Sequence, residues 1–501
     1  MAKRTAEERI GDFLRFGSRL GLERMTELMH RLGDPQDGLK VFHVAGTNGK
    51  GSTARYIYES LIEAGYHAGL YTSPFLEKFN ERIEADRKAI SDEDLEECTD
   101  IVLEKVDEMI ADGLESPTEF EVVTAVAFVY YNKIKCDTAV LEVGLGGRGD
   151  STNIIKSPAV SVIASISYDH MDRLGSTIPE IAGEKAGIIK AGCPVVVSTE
   201  REDALEVFRN KASELGAPLY DARSLASYDI KELRADGAEF DYHLDKTEST
   251  EEVELKDLQI SMGGEHQVIN ACEAVTALLI QDQFNVTEDA IRRGLRRAKQ
   301  PGRFEIMYSP SFDCYSDCYS DWGQAPIGAT PPIGACPQSE RQSEHHHSGP
   351  WVLLDGAHNQ DAARRLRDAV DEFFPGKSVL FVCGVLRDKD LSAILDEFVE
   401  IGDDFIATEP ENDRKLTAYE LAKAIHERGK LVYEVPKPED ATALAMSIAK
   451  GYDVVLFTGS LYLIGKIRTL LRNGYLKPGD ICFDRPESDD DSLTVGIEED
   501  D

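Results

Sequence analysis

The sequence predicts an α/β protein with two domains, and three observations carry that expectation. Apolar runs of strand length alternate with amphipathic stretches, a glycine–lysine loop follows the first run, and a second alternation begins at Trp351. Residues 41–44, 68–71, 139–141, 160–164 and 195–197 read as buried strands, with helical patterns at 53–64 and 120–132 between them. That order predicts a parallel sheet with crossover helices, because parallel neighbours need long connections and bury both faces. The more polar stretch 220–258 predicts hairpin strands at a sheet edge, followed by helices at 267–281 and 287–298. The second series places strands at 351–354, 378–382, 405–407 and 453–457, separated by helical segments such as 362–373 and 418–428. The expected division is 1–299 for the first domain, 300–350 for a linker, 351–476 for a smaller Rossmann-like domain and 477–501 for an acidic tail.

With 501 residues the chain is long enough for two or three full cores. No apolar run approaches the ~20 residues of a membrane span. The opening residues, from Met1 to Glu8, are too polar for a secretory signal. A cytoplasmic, monomeric protein is the expectation. Nine dispersed cysteines, with Cys136, Cys272 and Cys383 inside apparent core elements, suit reduced thiols better than a disulfide framework. The formal net charge of −37 argues against nucleic acid or an anionic membrane as partner. Acidic runs such as 91–97 recur along the whole chain, so the tail alone does not supply the excess. Self-repulsion of this size is screened at high ionic strength, which points to a salt-adapted organism.

Between the two series lies 309–350, with the repeat Asp313-Cys314-Tyr315-Ser316 and Asp317-Cys318-Tyr319-Ser320, then Pro- and Gly-rich sequence and His345-His346-His347. A disordered insertion is favoured over a zinc site, because no pair has zinc-finger spacing.

The strongest chemical signal is Gly46-Thr47-Asn48-Gly49-Lys50-Gly51-Ser52. It follows a strand and opens a helix, so its backbone N–H groups can cradle phosphates. Lys50 is placed to neutralise terminal phosphates, and Ser52 to offer a hydroxyl to Mg²⁺. Gly51 separates lysine from hydroxyl, a departure from the general P-loop pattern. Ser73, Glu142 and His170 stand at the ends of other strands, and in a parallel sheet such ends share one rim. Glu142 inside Ala-Val-Leu-Glu-Val must be paired or metal-bound. These residues alone predict a magnesium–nucleotide phosphoryl-transfer site and leave the substrate open.

Further motifs name a family. They are Tyr71-Thr72-Ser73-Pro74-Phe75, Phe79-Asn80-Glu81-Arg82-Ile83, Glu142-Val143-Gly144-Leu145-Gly146-Gly147-Arg148 and Asp169-His170-Met171. Downstream come Gly183-Glu184-Lys185-Ala186-Gly187, Gly264-Glu265-His266-Gln267 with Asn270, Pro301-Gly302-Arg303, and Asp355-Gly356-Ala357-His358-Asn359. Together with the loop at 46–52 they resemble the folylpolyglutamate synthase/dihydrofolate synthase branch of the Mur ligases, from about Phe16 to Leu471. The resemblance implies a Mur-ligase-like fold, with a P-loop ATPase domain ahead of the Rossmann-like one.

It also implies roles. Ser52, Ser73, Glu142 and His170 would serve two magnesium ions, with Lys185 carbamylated to become an anionic ligand. Asn270 would touch the nucleotide base, while Arg303, Asp355 and His358 would approach phosphates and ribose. Phe75, Arg82, Thr118, Glu119, Phe120 and Glu121 would line the pterin pocket, although relatives often carry histidine where this chain has Phe75. The reaction implied is activation of a carboxylate by ATP to an acyl phosphate, then attack by the amine of L-glutamate. The carboxylate belongs to a reduced folate, or to dihydropteroate if the chain is a dihydrofolate synthase or does both. A nucleotide-gated binding protein without ligase activity is the alternative from another class, disfavoured by Asp355 and His358 in a separate domain.

Overall fold

The computed structural model describes residues 4–17, 19–247, 250–309 and 349–475. The acidic tail lies outside these residues, and so does the segment read as an insertion apart from Ser309, Gly349 and Pro350. The chain forms two compact units, one built up to Pro301 with Asn359–Arg365, the other from Gly302–His358 and from Leu366 onward.

The first unit is organised by an eight-stranded sheet. Its strands are β1 (Lys40–Ala45), β2 (Ala68–Tyr71), β3 (Ile83–Ala85), β4 (Lys88–Ala89), β5 (Thr138–Glu142), β6 (Val160–Ile163), β7 (Val195–Val197) and β8 (Leu219–Asp221). They lie in the order β4-β3-β2-β5-β1-β6-β7-β8, with β2 and β5 through β8 parallel to β1. Strand β1 is thus flanked by β5 and β6, with Val44 opposite Glu142 and Ala45 opposite Ile163. Crossovers leave it in both directions, which makes its C-terminal end a topological switch point.

Alternation decides which face each side chain takes. Phe42, Val44, Leu70, Val140, Val160, Val162 and Val196 enter one core with the helices Lys50–Glu63, Glu265–Ile280 and Glu288–Arg297. Val41, Tyr71, Ala139 and Leu141 face the opposite way, onto the helices Glu23–Arg31, Asp92–Ala111 and Glu119–Lys133. Ile163, Val195 and Val197 pack with the helices Ile178–Lys185 and Glu202–Leu215. Burial on both faces explains why these strands read as continuous apolar runs.

Three findings differ from the sequence reading. The stretch after Tyr220 does not extend the main sheet. Strands β9 (Ala226–Arg234), β10 (Gly237–Leu244) and β11 (Val253–Ile260) form a separate antiparallel sheet in the order β11-β10-β9. Its buried face carries Phe240 and Tyr242 into the first core, where Tyr242 Oη and Thr276 Oγ1 are 2.8 Å apart. The acidic run after Ser91 opens the helix Asp92–Ala111, where Ser91 Oγ accepts from Asp94 N at 3.0 Å and the carboxylates face the positive end of the helix. Cys136 sits in the turn after the helix Glu119–Lys133 and is only half-buried, whereas Cys272 and Cys383 are buried; Cys98, Cys136, Cys193, Cys272 and Cys383 are free thiols.

The second unit has a six-stranded sheet in the order β12-β13-β17-β14-β15-β16. These strands are β12 (Glu305–Tyr308), β13 (Trp351–Leu354), β14 (Val379–Cys383), β15 (Asp404–Ala407), β16 (Leu431–Glu434) and β17 (Val454–Thr458). All are parallel except β12, an antiparallel edge on residues read as linker.

Candidate active site

The loop after β1 is fixed by the segment after β6. Thr47 N donates to Ser165 O at 2.7 Å, and Ser165 Oγ donates to Asn48 O at 3.1 Å. Thr47 Oγ1 donates to Ser167 O and accepts from Ser167 N, both at 3.1 Å. Gly49 then takes a φ of 87°, and a Cβ there would lie 2.5 Å from Asn270 Oδ1, so the position demands glycine. The helix Lys50–Glu63 follows without a side-chain N-cap, leaving its first-turn N–H groups to serve an anion. Lys50 is half-buried and its Nζ donates to Thr47 O at 3.1 Å.

Lys185 reaches the same loop from the end of the helix Ile178–Lys185. It is 4% exposed and its Nζ donates to Gly46 O at 2.9 Å. The backbone around it is tied to the loop after β5: Arg148 N donates to Glu184 O at 2.8 Å, and Asn153 Nδ2 bridges Arg148 O and Gly187 O. Burial, aided by the charge of Lys50, lowers the Lys185 ammonium to about 7, with Asp169 and Asp150 pulling the other way. Asp150 is itself buried and accepts from Leu145 N and Thr152 N at 2.8 and 3.0 Å; burial still raises its carboxyl.

Glu142, at the end of β5, is 7% exposed, and Ser52 in the first helical turn is 4% exposed. A Cβ on Gly51 would lie 3.5 Å from Glu142 Oε2, so this carboxylate stands directly against the helix start. Ser73 follows β2, and His170 follows Asp169 beyond β6 with a φ of 49° and its Nε2 3.9 Å from Asp169 Oδ2. β2, β5, β1 and β6 are consecutive in the sheet, so Ser73, Glu142, the loop and His170 share one rim. Among the described residues no three His, Cys, Asp or Glu side chains form a metal-holding group.

On the other side of β5, Arg82 is buried and paired with Glu119, and its guanidinium carbon lies 5.4 Å from the Phe79 ring centroid and 5.9 Å from that of Phe120. Phe75 is half-buried, with its ring 5.9 Å from Phe79. Thr118 and Glu121 are occupied structurally: each caps the other across the first turn of the helix Glu119–Lys133, and Arg24 Nε donates to Glu121 at 3.1 Å. Glu81 organises the neighbouring loop by accepting from the backbone N–H of Leu76, Glu77 and Lys78.

Asn270 is buried on the helix Glu265–Ile280, donating to Gln267 Oε1 at 3.1 Å. One turn on, Glu273 Oε2 accepts from Thr53 Oγ1 at 3.1 Å, and Oε1 has no hydrogen-bond partner among the described residues. Burial raises this carboxyl to about 8, so the folded state holds a proton that the unfolded chain releases near 4.5. Its stabilising contribution is therefore full below pH 4.5 and is lost as pH rises toward 8. Glu273→Gln, which keeps the neutral shape, is expected to be more stable than the parent at pH 8 by on the order of 1–3 kcal/mol. Urea titrations should show that difference shrinking toward pH 5; a pH-independent difference would contradict the buried proton.

In the second unit, Asp355 follows β13 and accepts from Phe304 N and Ala357 N, both at 2.8 Å. Burial raises its carboxyl, opposed by the charge of Arg303. Arg303 Nη1 lies 3.4 Å from Gly356 O, and His358 Nδ1 lies 2.7 Å from the same oxygen. A carbonyl only accepts, so Nδ1 is the donor in this contact. The structure thus gathers Arg303, Asp355 and His358 at one strand end.

Residues 44–278 match the Mur ligase middle domain and residues 340–461 the Mur ligase glutamate ligase domain. The chain is 35% identical over 463 residues to the dihydrofolate synthase/folylpolyglutamate synthase of Bacillus subtilis, covering 92% of this chain and 96% of that protein. The chain belongs to the folylpolyglutamate synthase/dihydrofolate synthase family of Mur ligases. Crystal structures of the family agree in fold. The Thermotoga maritima folylpolyglutamate synthase superposes with a TM-score of 0.75 at 31% identity, covering 94% of this chain and 97% of that one. The Mycobacterium tuberculosis folylpolyglutamate synthase, complexed with ADP and AMPPCP, gives 0.78 at 28% identity, covering 93% and 98%.

Within this family frame, Asp150, Asp169 and Glu81 are site-shaping residues absent from the set drawn from sequence. Asp150 had a legible signal, an acidic residue just before Ser-Thr-Asn in capping position. Asp169 and Glu81 lay inside quoted motifs, and only their contacts reveal what they hold.

Proposed function

We propose that this chain is an ATP-dependent ligase that adds L-glutamate to a folate carboxylate through an acyl phosphate. The observation that carries the reading is the convergence of Lys50, Lys185 and Glu142 on the loop 46–52, in a chain of this family. Magnesium bound by Ser52, Ser73, Glu142 and His170 would supply charge neutralisation at the phosphoryl group being transferred. The chain's own part is positioning. The loop N–H groups cradle the phosphates, Lys50 offsets their charge and Asn270 meets the base. Arg303, Asp355 and His358 serve phosphate and ribose. Phe75, Arg82, Glu119 and Phe120 hold the pterin, at a helix start braced by Thr118 and Glu121. No enzyme nucleophile is required.

Lys185 belongs in this reading as a carbamate and the magnesium as two ions. The proposal includes a cytoplasmic monomer with the boundaries 1–299, 300–350, 351–476 and 477–501; no described helix is long and apolar enough to cross a membrane. Dihydropteroate as a second acceptor is favoured by relatives whose names carry both activities. Mass spectrometry of products formed from ATP, glutamate and either dihydropteroate or a reduced folate tests the whole reading. A mass gain of one glutamate on either acceptor is expected, and absence of product with both would refute it.

The charge of −37 supports adaptation to high salt. Activity and thermal midpoint are expected to rise with KCl toward ~1 M, where the Debye length falls to ~3 Å and self-repulsion is screened. An optimum in dilute buffer, with inactivation at molar KCl, would remove this part of the proposal.

A further inference from the structure

One polar side chain beside the loop has no part in the scheme above. Gln300 follows the helix Glu288–Arg297 in the first unit, and its carboxamide stands against Gly51. A Cβ on Gly51 would lie 3.3 Å from Gln300 Nε2, 3.6 Å from Gln300 Cδ and 3.5 Å from Glu142 Oε2. The amide and the carboxylate therefore approach one backbone point, next to Ser52. Gln300 Oε1 is buried and accepts no hydrogen bond among the described residues. A buried carbonyl left without a donor is costly, and such atoms are uncommon where nothing is bound to satisfy them.

The missing partner must be a donor, which excludes the ionised phosphate oxygens of a nucleotide. Magnesium gives up its waters reluctantly and keeps several when it is held by few protein groups. Those waters are strong donors that need acceptors around them. We propose that Gln300 is a positioning residue of the magnesium site, its carbonyl oxygen accepting a hydrogen bond from water on the ion held by Ser52 and Glu142. Such outer contacts orient the hydrated ion and are typically worth about 10–100-fold in metal affinity or activity. The inference rests on the magnesium–nucleotide reading of the loop.

Calorimetric titration of the full-length protein with the non-hydrolysable analogue AMPPCP, over a series of MgCl₂ concentrations and in EDTA, tests it without turnover and without glutamate. Gln300→Met, similar in length but without the acceptor, is expected to raise the half-saturating magnesium concentration about tenfold. Its metal-free nucleotide affinity should stay within about twofold of the parent, which also shows that the variant is folded. Gln300→Glu, which keeps an acceptor, should restore a parental magnesium midpoint. A parental midpoint in Gln300→Met, or equal weakening with and without magnesium, would overturn the proposal. Lys50→Ala in the same titration checks the underlying reading separately: nucleotide binding indifferent to both Lys50 and magnesium would remove that reading itself.

Discussion

Lys185→Ala is expected to lose ligase activity by a factor of about 10² or more, and to regain part of it when acetate or formate is added. An unmodified lysine ammonium would be repelled by Lys50 and by any magnesium bound here, on the order of 4 kcal/mol by a unit charge and about twice that by a doubly charged ion, at ~4 Å and an effective dielectric of ~20. The surroundings of Lys185 disfavour that charge. The side chain is buried, hydrogen-bonded to Gly46 O, and burial lowers its ammonium to about 7. An ordinary lysine is almost entirely charged at pH 7, whereas burial here makes the neutral amine accessible near neutral pH. A neutral amine adds CO₂: nitrogen attacks carbon, a proton leaves, and a carbamate results whose single negative charge is shared by two oxygens, a donor set suited to Mg²⁺. The sign with pH follows, since the reactive amine grows as pH rises through about 7 and carbamate-dependent activity should rise with it. Labelling with ¹³CO₂ should give a carbamate resonance in the parent that is absent from the alanine variant. Full activity in Lys185→Ala, or no label in the parent, would end the proposal. The alternative, a lysine paired with Glu184 on the helix surface, does not fit the geometry, because Glu184 is 3.3 Å from Arg148.

The second large effect is expected at Lys50. Lys50→Ala should reduce turnover by about 10³, roughly 4 kcal/mol of transition-state stabilisation, while leaving the unfolding midpoint nearly unchanged. The residue is half-buried, and its hydrogen bond to Thr47 O is a minor contribution to a loop already fixed by Ser165 and Ser167. Loss of charge therefore falls on the transferred phosphoryl group rather than on the fold. Turnover within about tenfold of the parent would sink the assignment of Lys50 to the phosphates.

The strands around this site were legible because both faces of β1, β5 and β6 are buried and their runs are apolar. Their rim was legible too, since Ser73, Glu142 and His170 interrupt or end those runs. The start of the P-loop helix was less so. It begins at Lys50 rather than at Thr53, because Lys-Gly-Ser carries no apolar side chain to show the period. The helix Asp92–Ala111 was hidden behind its charge, although Val102, Val106 and Met109 mark its buried face. Strand β16 escaped notice because its burial is only partial. Gln300 carried no signal at all, since a lone glutamine after an arginine-rich helix reads as surface until its neighbours are known.

The position of β1 bears on how the polypeptide is made. Both of its hydrogen-bonded neighbours, Thr138–Glu142 and Val160–Ile163, are synthesised roughly a hundred residues after it. At ~5–20 residues per second, its apolar edges await partners for roughly 5–25 s. The nucleotide loop cannot take its final shape before Ser165 and Ser167 are present to receive Thr47. Folding of the first unit is therefore dominated by non-local pairing, the slow regime for single domains. N-terminal fragments ending before residue 170 are then candidates for aggregation rather than miniature nucleotide binders, and overexpression should gain more from slower synthesis or holding chaperones than from a stronger promoter.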